Sequence, residues 1–247
     1  MFLISSIKSR IFKNIQNLKN SCLVLCYHRV GKEIDDMWGN CISVDNFNSH
    51  IQYLSGKYNI LSMDQLYDQI QNRKLLDRRN IIITFDDGYK INTNYAMDIL
   101  DQYKAPCTFY MNTYNLNDDK IFWWDELQLI FSDKNILPPQ LSIDVCNTEI
   151  IFNLDNKENI IFAVKTLHSL LKGQRSEIRK NILLSITDQI MRDLNHSSEL
   201  LSVNELDILK TANNKLFTIG GHTHSHNSLS LLNYSSQNDE IKINKEI

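Results

Sequence analysis

The chain has little proline, no long apolar run and no large excess of either charge. Its 247 residues include three prolines and seven glycines, without an internal repeat, a low-complexity tract or a Gly/Pro-rich linker. No run approaches the ~18 apolar residues of a membrane span. The net charge of −3 gives no broad basic surface for nucleic acid. We therefore expect one main domain with no transmembrane segment and no nucleic-acid partner.

The cysteines also lack a functional pattern. There are five of them, an odd number without the paired spacing of metal sites. Three lie in or beside apolar, strand-like runs, so we interpret them as reduced thiols in the core. The N-terminus lacks the continuous apolar stretch of a secretory signal. Together these features predict a cytoplasmic protein, with the cell envelope as the alternative.

Residues 1–20 form a segment of their own, ahead of a predicted domain at residues 21–247. Apolar side chains from Ile4 to Leu18 fall on one helical stripe, and the basic side chains lie elsewhere. The pattern predicts an amphipathic helix packed on the domain, with a peripheral membrane contact as the alternative.

Five short apolar runs have the length of buried strands. They cover residues 22–27, 58–62, 80–85, 107–111 and 216–219. Helical patterns separate the first four runs, at about residues 45–56, 63–73 and 92–103. Such alternation predicts βαβ units and therefore an α/β fold with a parallel sheet.

The pattern changes between the fourth and fifth runs, from about residue 114 to residue 200. A helical stretch opens at 122–127, a hairpin-like pair of runs follows at 141–152, and long helical patterns cover 157–171 and 176–194. We interpret this segment as a mainly helical insertion between strands four and five.

Two groups of polar side chains follow predicted strands. Asp86 and Asp87 stand at the end of the third run, and His222 and His226 follow the fifth. Parallel α/β folds place their active sites at the C-terminal ends of strands. Adjacent carboxylates there point in different directions, so one can bind a cation while its neighbour takes a proton.

The two histidines are four residues apart, a spacing that places both imidazoles on one side of a helical turn. With one carboxylate they make a three-ligand site that keeps a position open for water and suits Zn²⁺ or a similar ion. Such an ion supports amide or ester hydrolysis. Each motif also has a plainer interpretation, because Asp-Asp-Gly is common turn chemistry and histidine pairs often lie on solvated helix faces. Both motifs at strand ends in one chain favour the metal site.

Thr84-Phe-Asp-Asp-Gly88 and His222-Thr-x-x-His226 resemble the first two signature motifs of the polysaccharide deacetylases, the NodB-homology or carbohydrate esterase family 4 enzymes. Further stretches resemble bacterial members: Tyr27-His-Arg-Val30, Trp38-Gly39, Asn94-Tyr95, Ala105-Pro-Cys-Thr-Phe109 and Phe122-Trp-Trp-Asp-Glu-Leu127. The resemblance covers most of residues 22–247. It implies a distorted (β/α) barrel of the NodB type, with the site at the C-terminal ends of the strands.

The resemblance implies a role for each residue of the two motifs. Asp86 matches the general base, and Asp87, His222 and His226 match the metal ligands, with Zn²⁺ as the expected ion. Asp86 would take a proton from water as it attacks an N-acetyl carbonyl, which releases acetate and leaves a free amine on the sugar. The implied partner is an N-acetylated polysaccharide or oligosaccharide, and no organic cofactor is implied. An O-acetyl ester is the alternative substrate, because the same attack serves esters.

More side chains are candidates for substrate binding: His28, Tyr89, Trp123, Trp124 and His224. His28 follows the first strand, where a structural hydrogen bond is the alternative role. The tryptophans can stack on sugar rings or pack the insertion onto the rest of the domain. His224 matches a variable position of the family motif, and we consider it for a contact with substrate or for support of the ligands.

The resemblance also implies motifs that residues 227–247 do not contain. Family members continue with strands that carry an arginine motif beside the base and a Leu-x-His motif that supplies a general acid. Five parallel strands cannot close a barrel of about 8. We therefore expect an incomplete barrel in a truncated product, with a second chain that completes it or helices that cover the gap as alternatives. A non-catalytic fragment that binds metal or glycan is the alternative function.

Overall fold

The computed structural model describes residues 21–31, 36–77, 79–116, 120–145, 148–190 and 198–247. The predicted helix at residues 1–20 and Cys146 lie outside these described residues. The chain forms two compact units, which we call the first and second units. The first contains the described residues of Met1–Ile34, Asn40–Tyr110 and Leu206–Gly220, and the second contains those of Asp35–Gly39, Met111–Glu205 and Gly221–Ile247. The predicted domain at 21–247 spans both units, and its boundaries stay a prediction.

A five-stranded sheet forms the centre of the first unit. Its strands are β1 (Leu23–Tyr27), β4 (Asn59–Ile60), β5 (Asn80–Phe85), β6 (Cys107–Met111) and β9 (Phe217–Gly221). The order is β1-β5-β6-β9 with β4 also on β5, and β1, β4 and β6 all run parallel to β5. This confirms the five predicted strands and the α/β class. Within the described residues β1 and β9 end the order, so the sheet is open, as expected for an incomplete barrel.

Strand β5 is the most buried part of this sheet. All six of its residues are buried, which explains why its sequence is a continuous apolar run rather than an alternating one. An aromatic row crosses the neighbouring strands: the Phe85 ring stacks on Tyr27 at 5.5 Å and on Phe109 at 5.2 Å between centroids. Phe109 meets Phe217 edge to face at 5.6 Å. The row fixes the strands just before Asp86 and Asp87.

Short elements complete the first unit. A separate parallel pair, β2 (Arg29–Gly31) and β3 (Cys41–Ser43), was not predicted, because three residues are too few to show a period. The helices are α1 (Val44–Lys57), α2 (Met63–Gln71), α3 (Ala96–Gln102) and α7 (Glu205–Ala212). Helix α3 begins later than predicted because Lys90–Thr93 forms a 3₁₀ turn ahead of it.

The second unit contains the predicted insertion. Its elements are α4 (Trp123–Ile130), the antiparallel hairpin β7 (Gln140–Val145) with β8 (Thr148–Asn153), α5 (Lys157–Lys172), α6 (Ser176–Ile190) and α8 (Tyr234–Glu246). A single apolar cluster joins α4, the hairpin, α5 and α6, with Leu127, Leu141 and Leu167 fully buried in it. The mainly helical character of the insertion is confirmed. No helix of the described residues is long and apolar enough to cross a membrane.

Candidate active site

The first motif forms a tight turn at the end of β5. The backbone N–H of Asp86 donates to the carbonyl of Tyr27 at 2.9 Å, which extends the pairing with β1 one residue past the strand. Asp87 and Gly88 then take left-handed backbone conformations, with φ of 74° and 87°. Few side chains other than those of Asn and Asp tolerate this region, and glycine tolerates it best. The turn separates the two carboxylates, and Asp87 is only 3% exposed.

The side chain of Asp86 lies beside β1. In the parallel register Cys26 pairs with Thr84 and Tyr27 with Phe85, so alternate residues of the two strands share a face. The Cys26 thiol donates to Asp86 Oδ2 at 3.3 Å. Burial, followed by the hydrogen bond to Asp86 and its charge, raises the pKa of Cys26 to about 11. The thiol therefore stays protonated at neutral pH and remains a donor to the carboxylate.

His28 continues this face one step past β1, and its backbone is fixed by a buried asparagine. Asn92 Nδ2 donates to the carbonyl of His28 at 2.8 Å, and its Oδ1 accepts from the N–H of Val30 at 3.0 Å. Tyr89, another candidate for substrate binding, is 1% exposed. Its ring lies under the guanidinium of Arg29, with Cζ 5.4 Å from the centroid. Tyr89 is thus part of the core of the first unit.

In the second unit, the chain after β9 carries the second motif on a loop, Gly221–Asn227, which we call the histidine loop. Nε2 of His222 lies 3.1 Å from Nε2 of His226. The predicted convergence of the two imidazoles is found, but the helical turn is not. Thr223 and His226 have φ of 63° and 54°, so the loop folds back on itself through two left-handed residues.

Glu240 of helix α8 holds the middle of the histidine loop. Its carboxylate accepts from the N–H of Ser225 at 2.7 Å, from the Ser225 hydroxyl, and from Asn227 Nδ2 at 3.0 Å. Its backbone carbonyl accepts from the N–H of His224 at 3.0 Å. Glu240 is 8% exposed, so these hydrogen bonds are shielded from water. No pattern in the sequence indicates this role, because Glu240 is one polar residue among many in a polar helix.

Asn244, one helical turn further along α8, holds the start of the same loop. Its Nδ2 donates to the carbonyl of Thr223 at 2.7 Å and to that of Met111 at 3.0 Å. The close approach needs Gly221, because a Cβ at that position would collide with Asn244 Oδ1. The N–H of His222 donates to the carbonyl of Met111 at 2.9 Å. Within the second unit the loop is therefore bound both to Met111 and to α8.

His224 faces a different neighbourhood from the other two histidines. Its Nδ1 lies 2.9 Å from Thr113 Oγ1, and its ring meets Tyr114 edge to face at 5.6 Å between centroids. Its carbonyl accepts from the N–H of Tyr114 at 2.9 Å. These contacts give His224 a structural role in the second unit, and its predicted contact with substrate stays a prediction.

A cavity of about 360 Å³ opens in the second unit beside the histidine loop. Tyr114, Trp123, Trp124, Arg179 and His226 contribute to its lining. The Trp124 ring lies 4.8 Å from the His226 ring, and the guanidinium of Arg179 lies 5.1 Å from the centroid of Trp123. The predicted tryptophans therefore adjoin the second motif, whereas no motif in the sequence indicates a role for Arg179.

Arg179 links the cavity to the histidine loop. It is 3% exposed, and its Nη2 donates to the carbonyl of Ser225 at 3.2 Å. Burial lowers the pKa of Arg179, with the charge of Glu240 acting in the opposite direction. Two buried donors here, Arg179 Nη1 and Trp123 Nε1, have no acceptor among the described residues. Each unmade hydrogen bond of this kind costs about 1–3 kcal/mol.

The predicted ligands divide between the units. Asp86 and Asp87 belong to the first, and His222 and His226 belong to the second. Within the first unit Asp86 lies with Cys26 and His28, and within the second His226 lies with His222 and Trp124. The set of three ligands, Asp87 with the two histidines, stays a prediction.

Comparison with known families connects these residues to one kind of protein. The polysaccharide deacetylase family model matches residues 73–137. This confirms the resemblance to polysaccharide deacetylases over a segment that contains Asp86, Asp87 and both tryptophans of α4. The histidine loop lies outside the matched segment. No curated protein is similar enough to count as a match.

Several solved structures are similar to this chain at low identity. The Streptococcus pyogenes deacetylase PplD in complex with acetate is 17% identical over 93% of this chain and 67% of its own, with a TM-score of 0.48. A putative polysaccharide deacetylase from Bacillus anthracis is 18% identical over 92% of this chain and 46% of its own, with a TM-score of 0.49. A polysaccharide deacetylase from Bacillus cereus is 16% identical over the same shares, with a TM-score of 0.47. The chain thus spans less than half the length of the two Bacillus proteins.

Proposed function

We propose that the chain is a metal-dependent carbohydrate deacetylase that removes acetyl groups from N-acetylated sugars of a polysaccharide or oligosaccharide. The observation that carries the proposal is the pair of histidine nitrogens in the histidine loop. Two nitrogen ligands about 2.0–2.1 Å from a tetrahedral ion lie about 3.3 Å apart, and Nε2 of His222 and Nε2 of His226 are 3.1 Å apart. The spacing suits a shared Zn²⁺.

Asp87 is the third ligand in this proposal, on the strength of its position in the first motif and within the segment matched by the family model. When bound, such an ion lowers the pKa of a coordinated water to about 7 and polarises an acetyl carbonyl. Asp87 and the histidines would hold the ion with one position open, which is the arrangement of catalytic rather than structural zinc sites.

Asp86 would act as the general base. Its carboxylate is half-buried, and the thiol of Cys26 donates to Oδ2. Oδ1 has no part in that hydrogen bond, so it can accept the proton of a water that attacks the acetyl carbonyl. The reaction breaks the carbon–nitrogen bond of the amide and releases acetate and the free amine of the sugar.

The cavity of the second unit would bind the sugar. Indole rings provide flat apolar faces for a pyranose ring, and the lining of this cavity includes Trp123 and Trp124 beside His226. Arg179 and Trp123, which contribute to the same lining, carry donors of the kind that suits the hydroxyl and carbonyl acceptors of an N-acetylated sugar. We regard His28, Tyr89 and His224 as less direct participants, because each has the structural neighbours described above.

Metal content tests the ligand set. Purified wild-type protein loaded with one equivalent of Zn²⁺ should retain about one ion per chain through desalting, and Asp87→Ala and His222→Ala should each lose it. His224→Ala is the matched control, because it removes an imidazole from the same loop and should keep the ion. If wild-type protein retains no more metal than His222→Ala, the site assignment is wrong. If Asp87→Ala alone keeps it, the third ligand is another residue.

Acetate release tests the reaction. Asp86→Asn should keep the ion and release acetate from an N-acetylated oligosaccharide about 10²-fold or more slowly. A matched O-acetylated oligosaccharide serves as the competing substrate, and faster release from it would identify an esterase instead. Metal binding without Asp86-dependent release from either substrate would identify a non-catalytic metal- or glycan-binding protein.

A cytoplasmic location accompanies this proposal. Cys22, Cys26 and Cys107 are free thiols among the described residues, as suits a reducing compartment. Cell fractionation tests the proposed location, and recovery of the native protein outside the cytoplasm would contradict it.

A further inference from the structure

Three metal-binding side chains converge on one face of the first unit, apart from the predicted ligand set. Cys26 on β1 and His28 just after it are two residues apart, so their side chains point to the same face. Asp86 directly follows β5 and lies beside them. One potential ligand atom from each of Cys26, His28 and Asp86 lies within 4.8 Å of the other two. The closest pair, Cys26 Sγ and Asp86 Oδ2, is 3.3 Å apart. All three residues belong to one unit, so the cluster does not depend on the histidine loop.

The strand geometry produces this cluster directly. Side chains two residues apart on a strand point the same way, and parallel neighbours in register place theirs alongside. The backbone of His28 is held by Asn92, and that of Asp86 by the hydrogen bond to Tyr27. Two of the three side chains thus start from fixed backbone positions. A zinc ion bound here would take the three atoms at roughly 2.0–2.3 Å, and they already lie within 4.8 Å of one another.

The chemistry of the donors selects the kind of ion. A thiolate, an imidazole and a carboxylate together suit Zn²⁺ and Co²⁺, whereas Mg²⁺ and Ca²⁺ prefer oxygen ligands alone. Binding would displace the thiol proton to solvent and form one bond each from sulfur, nitrogen and oxygen to the ion. No oxidation is involved. The plainer role for Cys26 is a hydrogen-bond donor to Asp86 with no metal at all.

We propose that Cys26, His28 and Asp86 form a second site for Zn²⁺ or Co²⁺, separate from Asp87, His222 and His226. The ion would bind the Asp86 carboxylate, which the proposed function assigns as general base. Zinc above one equivalent therefore inhibits the enzyme, because Asp86 can no longer accept a proton from water. The binding site stands on the geometry alone, and only the inhibition rests on the proposed function.

Cobalt spectroscopy tests the binding site without any need for activity. A cysteine thiolate bound to Co²⁺ gives a charge-transfer band in the near ultraviolet, which oxygen and nitrogen ligands do not give. Titration of the full chain with Co²⁺ should produce this band, and Zn²⁺ should displace it. Cys26→Ser should abolish the band, whereas His222→Ala should keep it. Absence of the band at millimolar Co²⁺, or its persistence in Cys26→Ser, would overturn the proposal.

Two further variants distinguish the loss of a metal ligand from misfolding of the protein. His28→Ala and Asp86→Asn keep the thiol but remove one ligand each, so the Co²⁺ concentration for half-maximal absorbance should rise at least about tenfold. Their circular dichroism should match that of wild type. Unchanged half-maximal concentrations in both variants would show that other residues bind the ion, which would also overturn the proposal.

Acetate release tests the inhibition. With one equivalent of Zn²⁺ as the reference for each protein, a further tenfold excess should slow wild type strongly and Cys26→Ser much less. Equal slowing of both would overturn the inhibitory role. If no protein releases acetate while the Cys26-dependent band is present, the proposed function fails and the second metal site stands.

Discussion

The two motifs of the candidate site are held in different ways. The turn of Asp86 and Asp87 is fixed by its own strand, because pairing of β5 with β1 and a left-handed turn decide where each carboxylate points. The histidine loop has no such local support. It takes an irregular path that depends on hydrogen bonds to other segments, among them those of Glu240 and Asn244, residues of a helix that follows it in sequence. The comparison teaches that the first motif should tolerate distant substitutions and the second should not.

Loss of the Glu240 carboxylate should give the largest effect on the histidine loop. Glu240→Ala leaves the N–H and the hydroxyl of Ser225 without a buried acceptor. The free energy of unfolding should therefore fall by about 3 kcal/mol. All three tryptophans, Trp38, Trp123 and Trp124, belong to the second unit, so their fluorescence in a urea titration reports on that unit. Retention of Zn²⁺ should fall with the stability.

Glu246→Ala is the matched control for that measurement. Glu246 lies on the same helix but is exposed, with only a 3.8 Å ion pair to Lys242. Exposed pairs of this kind contribute little, so its urea midpoint should equal that of wild type. A Glu240→Ala protein with a wild-type midpoint and wild-type zinc retention would show that α8 does not hold the loop.

The same contrast explains what the sequence could predict. Strand positions and the Asp-Asp turn follow from local patterns, an apolar run followed by turn residues, and both were found where expected. The convergence of His222 and His226 was also predicted, but through a helical turn that is absent. Their actual support comes from hydrogen bonds 13 to 15 residues away in sequence, between Glu240 and the loop. No period or motif encodes such pairings.

Two adjacent glycines at the end of β9 give a smaller test of the comparison, one in each unit. A Cβ on Gly220 would lie 2.5 Å from two ring carbons of Tyr110, so Gly220→Ala should cost about 1–3 kcal/mol through overpacking in the first unit. A Cβ on Gly221 would instead displace the Asn244 amide from the loop, which should lower the free energy of unfolding by about 1–2 kcal/mol. Urea titrations followed by circular dichroism and by tryptophan fluorescence separate the effects of the two substitutions.

Gly221→Ala should shift the fluorescence transition more than Gly220→Ala does, because only Gly221 contacts the loop support. Gly56→Ala is the control, since a Cβ there meets nothing within 4 Å and alanine suits its position in helix α1. An unshifted fluorescence transition in Gly221→Ala would contradict the role given to Asn244.

The smallest expected effect concerns the local support of the first motif. The pKa of Cys26 is raised to about 11 by burial first and by Asp86 second, so the pH dependence of its alkylation by iodoacetamide should have a midpoint near that value. Because the folded pKa is raised, the thiol's contribution to stability is present below the unfolded value of 9.0 and is lost as pH rises toward 11. Asp86→Asn should lower the midpoint only part of the way toward 9.0, because burial remains.

Cys22 is the internal control for the same samples. Burial alone raises its pKa, so its alkylation profile should not respond to Asp86→Asn. Peptide mass spectrometry resolves the two thiols. If the Cys26 profile also fails to respond to Asp86→Asn, the thiol and the carboxylate are not coupled. The local support inferred for Asp86 would then be absent, and the first motif would depend on its surroundings as much as the second does.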